Sequence, residues 1–249
     1  MISKQTLLNV VADYEALSSL AAAEVIRQVK QKPNACFCLA AGDTPKGMMR
    51  YLVEAQRRNE ADFSQSHFVL LDEWVGLDKQ DEGSCQHFLY TNLFEPLQIA
   101  ESQIHGFDAK ADDVEEECRQ INTTIKELGG IDLTVLGIGV NGHIGFNEPG
   151  VDFTKEAHVV HLEETTTSVG AKYFADQQQA PEQGLTLGVS QIMEADKAVI
   201  IASGANKRPA VYALLYEQVS SQCPASILRT HHHFQLLCTE DSYPNYEAM

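Results

Sequence analysis

A histidine and a glutamate stand five positions apart in the segment GIGVNGHIGFNEPG, which spans residues 137–150. The segment follows the strand-forming residues IDLTVL, so His143 and Glu148 are predicted to lie on one tight loop at a strand end. Histidine titrates near physiological pH, and a neighbouring carboxylate tunes and orients it. The two residues are therefore a candidate acid/base unit. The alternative, which these residues leave open, is that the histidine is structural.

The first six residues of the same segment have the spacing G-x-G-x-x-G, which elsewhere binds a dinucleotide. That kind of site needs a long helix directly after the glycines and an acidic residue about 20 positions further on. Glu163 lies near that distance, but Pro149 and Gly150 follow too soon for a long helix to begin. Gly139 and Gly142 are instead expected to let the chain turn sharply beside a ligand.

Two acidic residues, Asp72 and Glu73, come directly after the apolar run FVLL. An unperturbed aspartate has a pKa of about 3.9, which makes it a weak base for removing a proton from carbon. Burial among apolar side chains raises this pKa, and a positioned base contributes about 10²- to 10⁴-fold in rate. We therefore expect Asp72 to act as a general base, the alternative being that it caps a turn.

Two further strand ends carry groups that bind anions. In LAAGDTPKGMMRYL, Gly42 and Thr44 form a turn before a helix, with Pro45 predicted at the first helical position. Backbone N–H groups, the hydroxyl and the helix dipole together favour an anion there. In IIASGANKRPAVYALL, Lys207 opens a helix, where its charge opposes the dipole unless an anion is bound. The alternatives are an ordinary turn and a solvated lysine.

The elements that position these residues alternate between strand and helix along the whole chain. Seven short apolar runs are predicted as buried strands, at 35–40, 67–71, 133–139, 157–162, 184–189, 197–203 and 234–238. Amphipathic stretches near 12–30, 46–59, 84–95, 112–128 and 205–219 are predicted as helices. This alternation indicates one α/β domain over residues 1–249, with a three-layer, Rossmann-like, open and mostly parallel sheet covered on both faces. Ligands bind such sheets at the carboxyl ends of the strands.

Composition narrows the class of function. The formal charge of −17 argues against binding nucleic acid, which requires clustered lysine and arginine. No apolar stretch approaches the roughly 18 to 20 residues that span a bilayer, and the N-terminus lacks the pattern of a signal peptide. The six scattered cysteines form no C-x-x-C pair and are expected to be reduced thiols in a cytoplasmic protein. No metal site is expected, because the run HHH (231–233) has no partner cluster.

Taken together, the motifs resemble the glucosamine-6-phosphate deaminase (isomerase) family, in the superfamily that also holds 6-phosphogluconolactonases. The resemblance covers nearly the whole chain in order and rests on the stretches GDTP, LDEW, GIGVNGHIGFNEPG, LTLGV, SGANK and PASILRTH. It implies conversion of a hexosamine 6-phosphate to a ketohexose 6-phosphate and ammonium, without a cofactor. His143 would assist ring opening with Glu148 tuning it, and Asp72 would move a proton between C2 and C1 through an enolamine-like intermediate.

The resemblance also implies binding residues and a lid. Gly42, Thr44, Lys172 and Lys207 match positions that contact phosphate in the family, and Asp43, Gly139 and Gly142 are further candidates for binding. Lys172 lies in a polar stretch that we expect to form a mobile lid at about 158–183.

Five positions depart from the family's pattern. Lys172 replaces a common arginine and holds phosphate as a point charge. Asn141, which stands where some members carry aspartate, is a candidate member of the catalytic unit, but cannot stabilise a cationic His143 by charge. Asp43 replaces a small residue and would repel a phosphate unless its side chain points away. His158 and Val160 replace basic residues of an activator site, so we expect a monomer or small homo-oligomer rather than an allosteric hexamer.

Three other functions compete with deamination of glucosamine 6-phosphate. Trp74 and Cys85 resemble a sub-branch that acts on galactosamine 6-phosphate and gives tagatose 6-phosphate, which leaves the sugar's configuration at C4 open. A 6-phosphogluconolactonase needs the same phosphate site and one histidine, but the intact GFNEPG and LDE stretches favour the deaminase. A non-catalytic sugar-phosphate sensor is disfavoured because no basic helix-turn-helix precedes residue 30.

Overall fold

A computed structural model describes residues 7–174 and 180–244 of the chain. The strands are β1 (Leu7–Val11), β2 (Cys36–Leu39), β3 (His67–Val69), β4 (Asp72–Trp74), β5 (Ile104–His105), β6 (Leu133–Gly137), β7 (His158–His161), β8 (Gln183–Thr186), β9 (Ala198–Ala202) and β10 (Phe234–Thr239). The helices are α1 (Tyr14–Gln31), α2 (Asp43–Arg57), α3 (Cys85–Leu89), α4 (Glu95–Leu97), α5 (Val114–Glu127), α6 (Glu164–Gly170), α7 (Val189–Glu194) and α8 (Arg208–Tyr216).

Seven of these strands form one parallel sheet, in the order β1-β10-β9-β6-β2-β3-β5. Alternate residues of a strand point to opposite faces, so Cys36 and Cys38 enter one apolar cluster while Phe37 and Leu39 enter the other. One cluster lies under α5, α7 and α8, and the other under α1, α2 and the helical segment 85–97. The predicted three-layer α/β fold with a parallel sheet is confirmed.

The strands at 157–162 and 184–189 were expected in that sheet, and this expectation is wrong. β7 and β8 form a separate antiparallel sheet with β4, in the order β4-β8-β7. Residues of β7 are half-buried or exposed, unlike the buried strands of the main sheet. A short apolar run predicts a strand without saying which sheet it joins, which explains the error.

Several element boundaries also differ from the predictions. The helix α2 begins at Asp43, two residues before Pro45, because Gly42 as the N-terminal cap adopts φ +107° and turns the chain abruptly. The stretch 85–97 is not one α-helix but α3, a π-helical turn at Tyr90–Phe94 and α4. The predictions from the sequence include neither the exposed edge strand β1, although its sequence LLNVV is mostly apolar, nor β5, which at two residues is too short to show a pattern.

The order of the parallel sheet explains why the predicted site residues meet. Strands β9, β6, β2 and β3 are consecutive neighbours, and their carboxyl ends lead into the Lys207, His143, Gly42 and Asp72 stretches. In a parallel sheet these ends lie at one edge, which is where such sheets bind ligands. No helix among the described residues combines the length and apolarity needed to cross a membrane.

Candidate active site

A cavity of about 440 Å³ opens at this edge of the sheet. Seven of the predicted site residues line it, namely Gly42, Asp43, Thr44, Asp72, Gly139, His143 and Lys207. Four others, Asn141, Gly142, Glu148 and Lys172, do not line the cavity and instead contact residues that do. The structure therefore gathers residues that are up to 165 positions apart in the chain around a single space.

Asp72 is the first residue of β4 and is only 8% exposed. Burial raises the pKa of its carboxyl to about 6, although a hydrogen bond from the Cys85 thiol and the charge of His143 act in the opposite direction. A carboxylate with this pKa is ionised at neutral pH and is a stronger base than an exposed aspartate. Asp72 thus has the exposure to the cavity and the basicity that proton abstraction requires.

Its neighbour Glu73 has a different environment, although the sequence presents the two acids as a pair. The Glu73 carboxylate is fully buried and accepts backbone hydrogen bonds from Trp74 at 2.8 Å, Cys85 at 3.0 Å and Gln86 at 2.7 Å. Burial raises its pKa to about 7, against the opposing effect of those three donors. Glu73 therefore fixes the start of α3, and with it Cys85, beside Asp72.

The loop after β6 carries the imidazole of His143. Its Nδ1 lies 3.5 Å from Oε2 of Glu148 and 3.2 Å from the Thr166 hydroxyl. The backbone N–H of His143 donates to the Asn141 side-chain oxygen at 3.2 Å. A carboxylate and a hydroxyl therefore orient the imidazole, while the Asn141 amide fixes the backbone that carries it. Of these three residues, Glu148 and Asn141 were predicted from the sequence and Thr166 was not.

Glu148 is 6% exposed, yet its carboxylate stays readily ionised. Burial acts to raise its pKa, but hydrogen bonds with His143, Thr166 and Asn141 outweigh burial and lower it. Its Oε1 also accepts a bond of 3.3 Å from the backbone N–H of Glu163. A buried anion held in this way can stabilise a positive charge on the adjacent imidazole.

Glycines give this loop its shape at two positions. A side chain at Gly139 would place its Cβ 2.5 Å from atoms of the His143 ring. Gly142 has φ +84°, and a Cβ there would lie 2.6 Å from the Cys223 sulfur. The expected sharp turn is therefore present, and the room that Gly139 leaves is filled by the imidazole.

Two lysines and backbone N–H donors lie near the N-terminus of α2. Lys207 is the N-terminal cap of α8, and burial together with the charge of Lys172 lowers its pKa. Asp43 and Thr44 are the first two residues of α2, where backbone N–H groups and the helix dipole favour anions. Two lysines beside a helix N-terminus are chemically suited to hold a phosphate group.

The segment 163–174, which includes α6, lies along the cavity. Thr165, Thr166, Val169, Gly170 and Tyr173 contribute to the lining. The Trp74 ring contacts Phe146 and, at the end of this segment, Phe174, with ring centroids 4.7 and 5.8 Å apart. The predicted lid at 158–183 includes this segment, and its residues 175–179 lie outside the described part of the chain.

The amino-acid sequence alone indicates no role in the site for Thr166, Tyr173 or Glu163. These residues lie at the site because the segment after β7 passes along the cavity. No residue spacing in the sequence predicts this path of the chain. The only available indication was the polar composition of the stretch. For metal binding, residues 7–174 and 180–244 contain no group of three or more His, Cys, Asp or Glu side chains suited to hold an ion.

Comparisons with known proteins agree with this architecture. Residues 12–238 match the family described as glucosamine-6-phosphate isomerases/6-phosphogluconolactonase. A glucosamine-6-phosphate deaminase of Thermoanaerobacter sp. (strain X514) is 38% identical over 233 residues, which are 94% of this chain and 92% of that protein. One of Lachnoclostridium phytofermentans is 41% identical over 225 residues, 90% of this chain and 95% of its own.

Solved structures show the same similarity. A monomeric glucosamine-6-phosphate deaminase superimposes with a TM-score of 0.91 at 34% identity, covering 96% of this chain and 98% of its own. A 6-phosphogluconolactonase of Thermotoga maritima shares the fold, with a TM-score of 0.76 at 17% identity and coverage of 94% and 99%. The chain therefore belongs to the family of glucosamine-6-phosphate isomerases and 6-phosphogluconolactonases.

Proposed function

We propose that the protein catalyses the isomerising deamination of a hexosamine 6-phosphate. In the principal form of the proposal, D-glucosamine 6-phosphate and water give D-fructose 6-phosphate and ammonium. The observation that carries it is the cavity itself, since a buried base (Asp72), an imidazole (His143) and a lysine beside a helix N-terminus (Lys207) all line one space. Relatives named as glucosamine-6-phosphate deaminases at 37–41% identity support the same chemistry.

The reaction begins with opening of the sugar ring, which His143 assists. The imidazole transfers a proton from the hydroxyl on C1 to the ring oxygen, and Glu148 stabilises the positive charge that it carries in transit. The product is the open-chain aldehyde, with its amino group still on C2.

Asp72 then performs the isomerisation. Its carboxylate removes the proton from C2, giving an enolamine across C1 and C2, and returns a proton to C1. The C2 carbon becomes an iminium carbon, water adds to it, and ammonium leaves as the ketone forms. A base with a pKa of about 6 is ionised at neutral pH yet basic enough for both transfers.

The anionic end of the substrate is assigned to Gly42, Thr44, Lys172 and Lys207. The supporting observations are the N-terminal end of α2, the two lysines and the effect of Lys172 on the pKa of Lys207. In the same proposal, the segment 163–174 belongs to a lid, which excludes water while the enolamine exists.

Ammonium release measured side by side on glucosamine 6-phosphate and galactosamine 6-phosphate tests the proposal. We expect turnover of the first substrate; failure to release ammonium from either would overturn the proposal. The galacto alternative rests on Trp74 and Cys85, which both line the cavity, and preferential turnover of that sugar would establish it. Hydrolysis of 6-phosphogluconolactone without ammonium release from either sugar would instead identify a lactonase.

The proposal includes a single-domain monomer in the cytoplasm. The structural neighbour described as a monomeric deaminase supports the assembly state. Light scattering coupled to size exclusion measures it directly, and a mass near 27.5 kDa is expected.

A further inference from the structure

The part of the site proposed to bind phosphate contains a carboxylate, that of Asp43. This carboxylate pairs with Lys172, one of the residues proposed to bind the phosphate. Nζ of Lys172 lies 2.6 Å from Oδ2 of Asp43. The backbone N–H of Asp43 donates to the Tyr173 hydroxyl at 3.3 Å. Two neighbouring residues of the segment 163–174 therefore contact both the side chain and the backbone of the first residue of α2.

The backbone at Asp43 is held in place from a second direction. The Tyr14 hydroxyl donates to the Asp43 carbonyl at 2.7 Å and accepts from the backbone N–H of Gly47 at 2.8 Å. Gly42, which precedes it, has a φ of +107° that few other residues adopt. The main chain thus holds Asp43 at the N-terminus of α2 whether or not Lys172 is engaged.

The ion pair between Lys172 and Asp43 is weak enough for a ligand to replace it. The Lys172 side chain is 51% exposed and that of Asp43 is 64% exposed. Pairs exposed to this degree contribute little to stability, because water screens the charges and both side chains lose freedom. A ligand phosphate can therefore displace the carboxylate from Lys172, but it cannot remove the charge of Asp43.

The charge of Asp43 changes the balance of charge at the proposed phosphate site. Lys172 and Lys207 carry two positive charges, and the charge of the first is felt at the second. Lys46, which lines the cavity in the first turn of α2, carries a third positive charge. Asp43 cancels one of the three, so a phosphate dianion just neutralises the site. Without Asp43, the same dianion would meet one further positive charge.

We infer that the Asp43 carboxylate competes with the substrate's phosphate for Lys172 and thereby lowers the affinity of the site for phosphorylated sugars. The inference rests on the proposed function, because it takes Lys172 as a phosphate ligand. Its role is to set the substrate concentration at which the enzyme works and not to take part in the proton transfers.

The test measures the inhibition constant of inorganic phosphate and the KM for glucosamine 6-phosphate in Asp43→Asn and Asp43→Ser. Both constants are expected to fall about three- to tenfold, the effect of removing one like charge at close range in a partly hydrated site. The kcat should change by less than about twofold. An unchanged or raised KM in both variants, with an unfolding midpoint equal to that of the parent, would overturn the inference.

Glu54→Gln is the matched control. It removes one negative charge from the same helix, and about 16 Å of helix separates it from Asp43. That distance exceeds the Debye length of about 8 Å at physiological salt, so the affinity for phosphate should not change. An equal gain in Glu54→Gln would show that net charge, and not Asp43, sets the affinity.

Lys172→Met separates competition from simple repulsion. If Asp43 competes for Lys172, the gain from Asp43→Asn is smaller in the Lys172→Met background than in the parent. Equal gains in phosphate affinity in both backgrounds would show that Asp43 only repels phosphate and does not compete with it for Lys172. If the parent neither turns over glucosamine 6-phosphate nor binds phosphate, the proposed function fails together with the inference; turnover without tighter binding in Asp43→Asn refutes the inference alone.

Discussion

The side-chain amide of Asn141 donates one hydrogen bond to Glu163, at 2.9 Å, and another to Glu148, at 3.0 Å. One neutral amide thus holds two carboxylates side by side next to the imidazole of His143. Asn141 lacks a charge of its own, but the structure places that of Glu163 next to the unit instead. The acid/base unit is organised differently from one with an aspartate at position 141.

This arrangement predicts that Asn141→Asp is harmful, although some family members carry aspartate there. The substitution removes both amide donors and places a third carboxylate about 3 Å from two others. We expect kcat/KM for deamination to fall about ten- to a hundredfold. In the double variant with Glu163→Ala most of the activity should return, and a neutral effect of Asn141→Asp alone would contradict this account.

Replacing the proposed base gives the most direct kinetic prediction. In Asp72→Asn, the amide cannot accept the C2 proton, so kcat should fall by at least about 10²-fold while KM changes little. Steady-state ammonium release measures both constants. Asp62→Asn, at an exposed aspartate, should retain parental rates, and full activity in Asp72→Asn would remove the assigned base.

The pKa of Asp72 also predicts how activity depends on pH. The base must be ionised, so kcat/KM should fall as the pH drops through about 6. Cys85→Ala removes the thiol hydrogen bond that lowers this pKa, so the acidic limb should move to higher pH. Cys85→Ser keeps a donor and serves as the control. An acidic limb in Cys85→Ala that coincides with the parental one would show that the thiol does not act on Asp72.

The burial and hydrogen bonds of Glu73 predict that replacing it changes both the stability of the fold and the dependence of that stability on pH. Glu73→Ala leaves three backbone donors without their acceptor, so the free energy of unfolding should fall by about 2–4 kcal/mol in urea titrations. Because burial raises the pKa of Glu73 from 4.5 to about 7, the folded protein binds more protons than the unfolded chain in that range. The contribution of this raised pKa to the free energy of unfolding is therefore fully present below pH 4.5 and is lost as the pH rises through about 7. Glu73→Gln should flatten this dependence, and an equally steep profile would contradict it.

Gly139 offers a steric prediction within the same loop. Gly139→Ala would drive a methyl group into the space of the imidazole, so activity should fall at least about tenfold while the unfolding midpoint changes little. Gly137→Ala adds a methyl group to the same cavity wall with no atom within 4 Å. If both variants lose activity equally, crowding of the cavity and not displacement of His143 is responsible.

Much of the site could be predicted because it obeys a rule of parallel sheets. Asp72, His143 and Lys207 come three, six and five residues after the ends of β3, β6 and β9, and the carboxyl ends of parallel strands share an edge. The contacts of Thr166 and Tyr173 could not be predicted, because they depend on a tertiary return of the chain. The three-residue strand β4 was equally out of reach, since DEW has neither the length nor the periodicity that identifies a strand.

The existence of two sheets has a mechanical consequence for the reaction. Asp72 is paired with Thr186 in the small antiparallel sheet, whereas His143 follows a strand of the large one. The two are fastened by Phe146, whose N–H donates to the Thr186 hydroxyl at 3.2 Å, and by Asn147, which donates to the Leu187 carbonyl at 2.8 Å. This seam thus sets the distance between Asp72 and His143 across the cavity, and loosening it would misalign the two groups to which we assign the proton transfers.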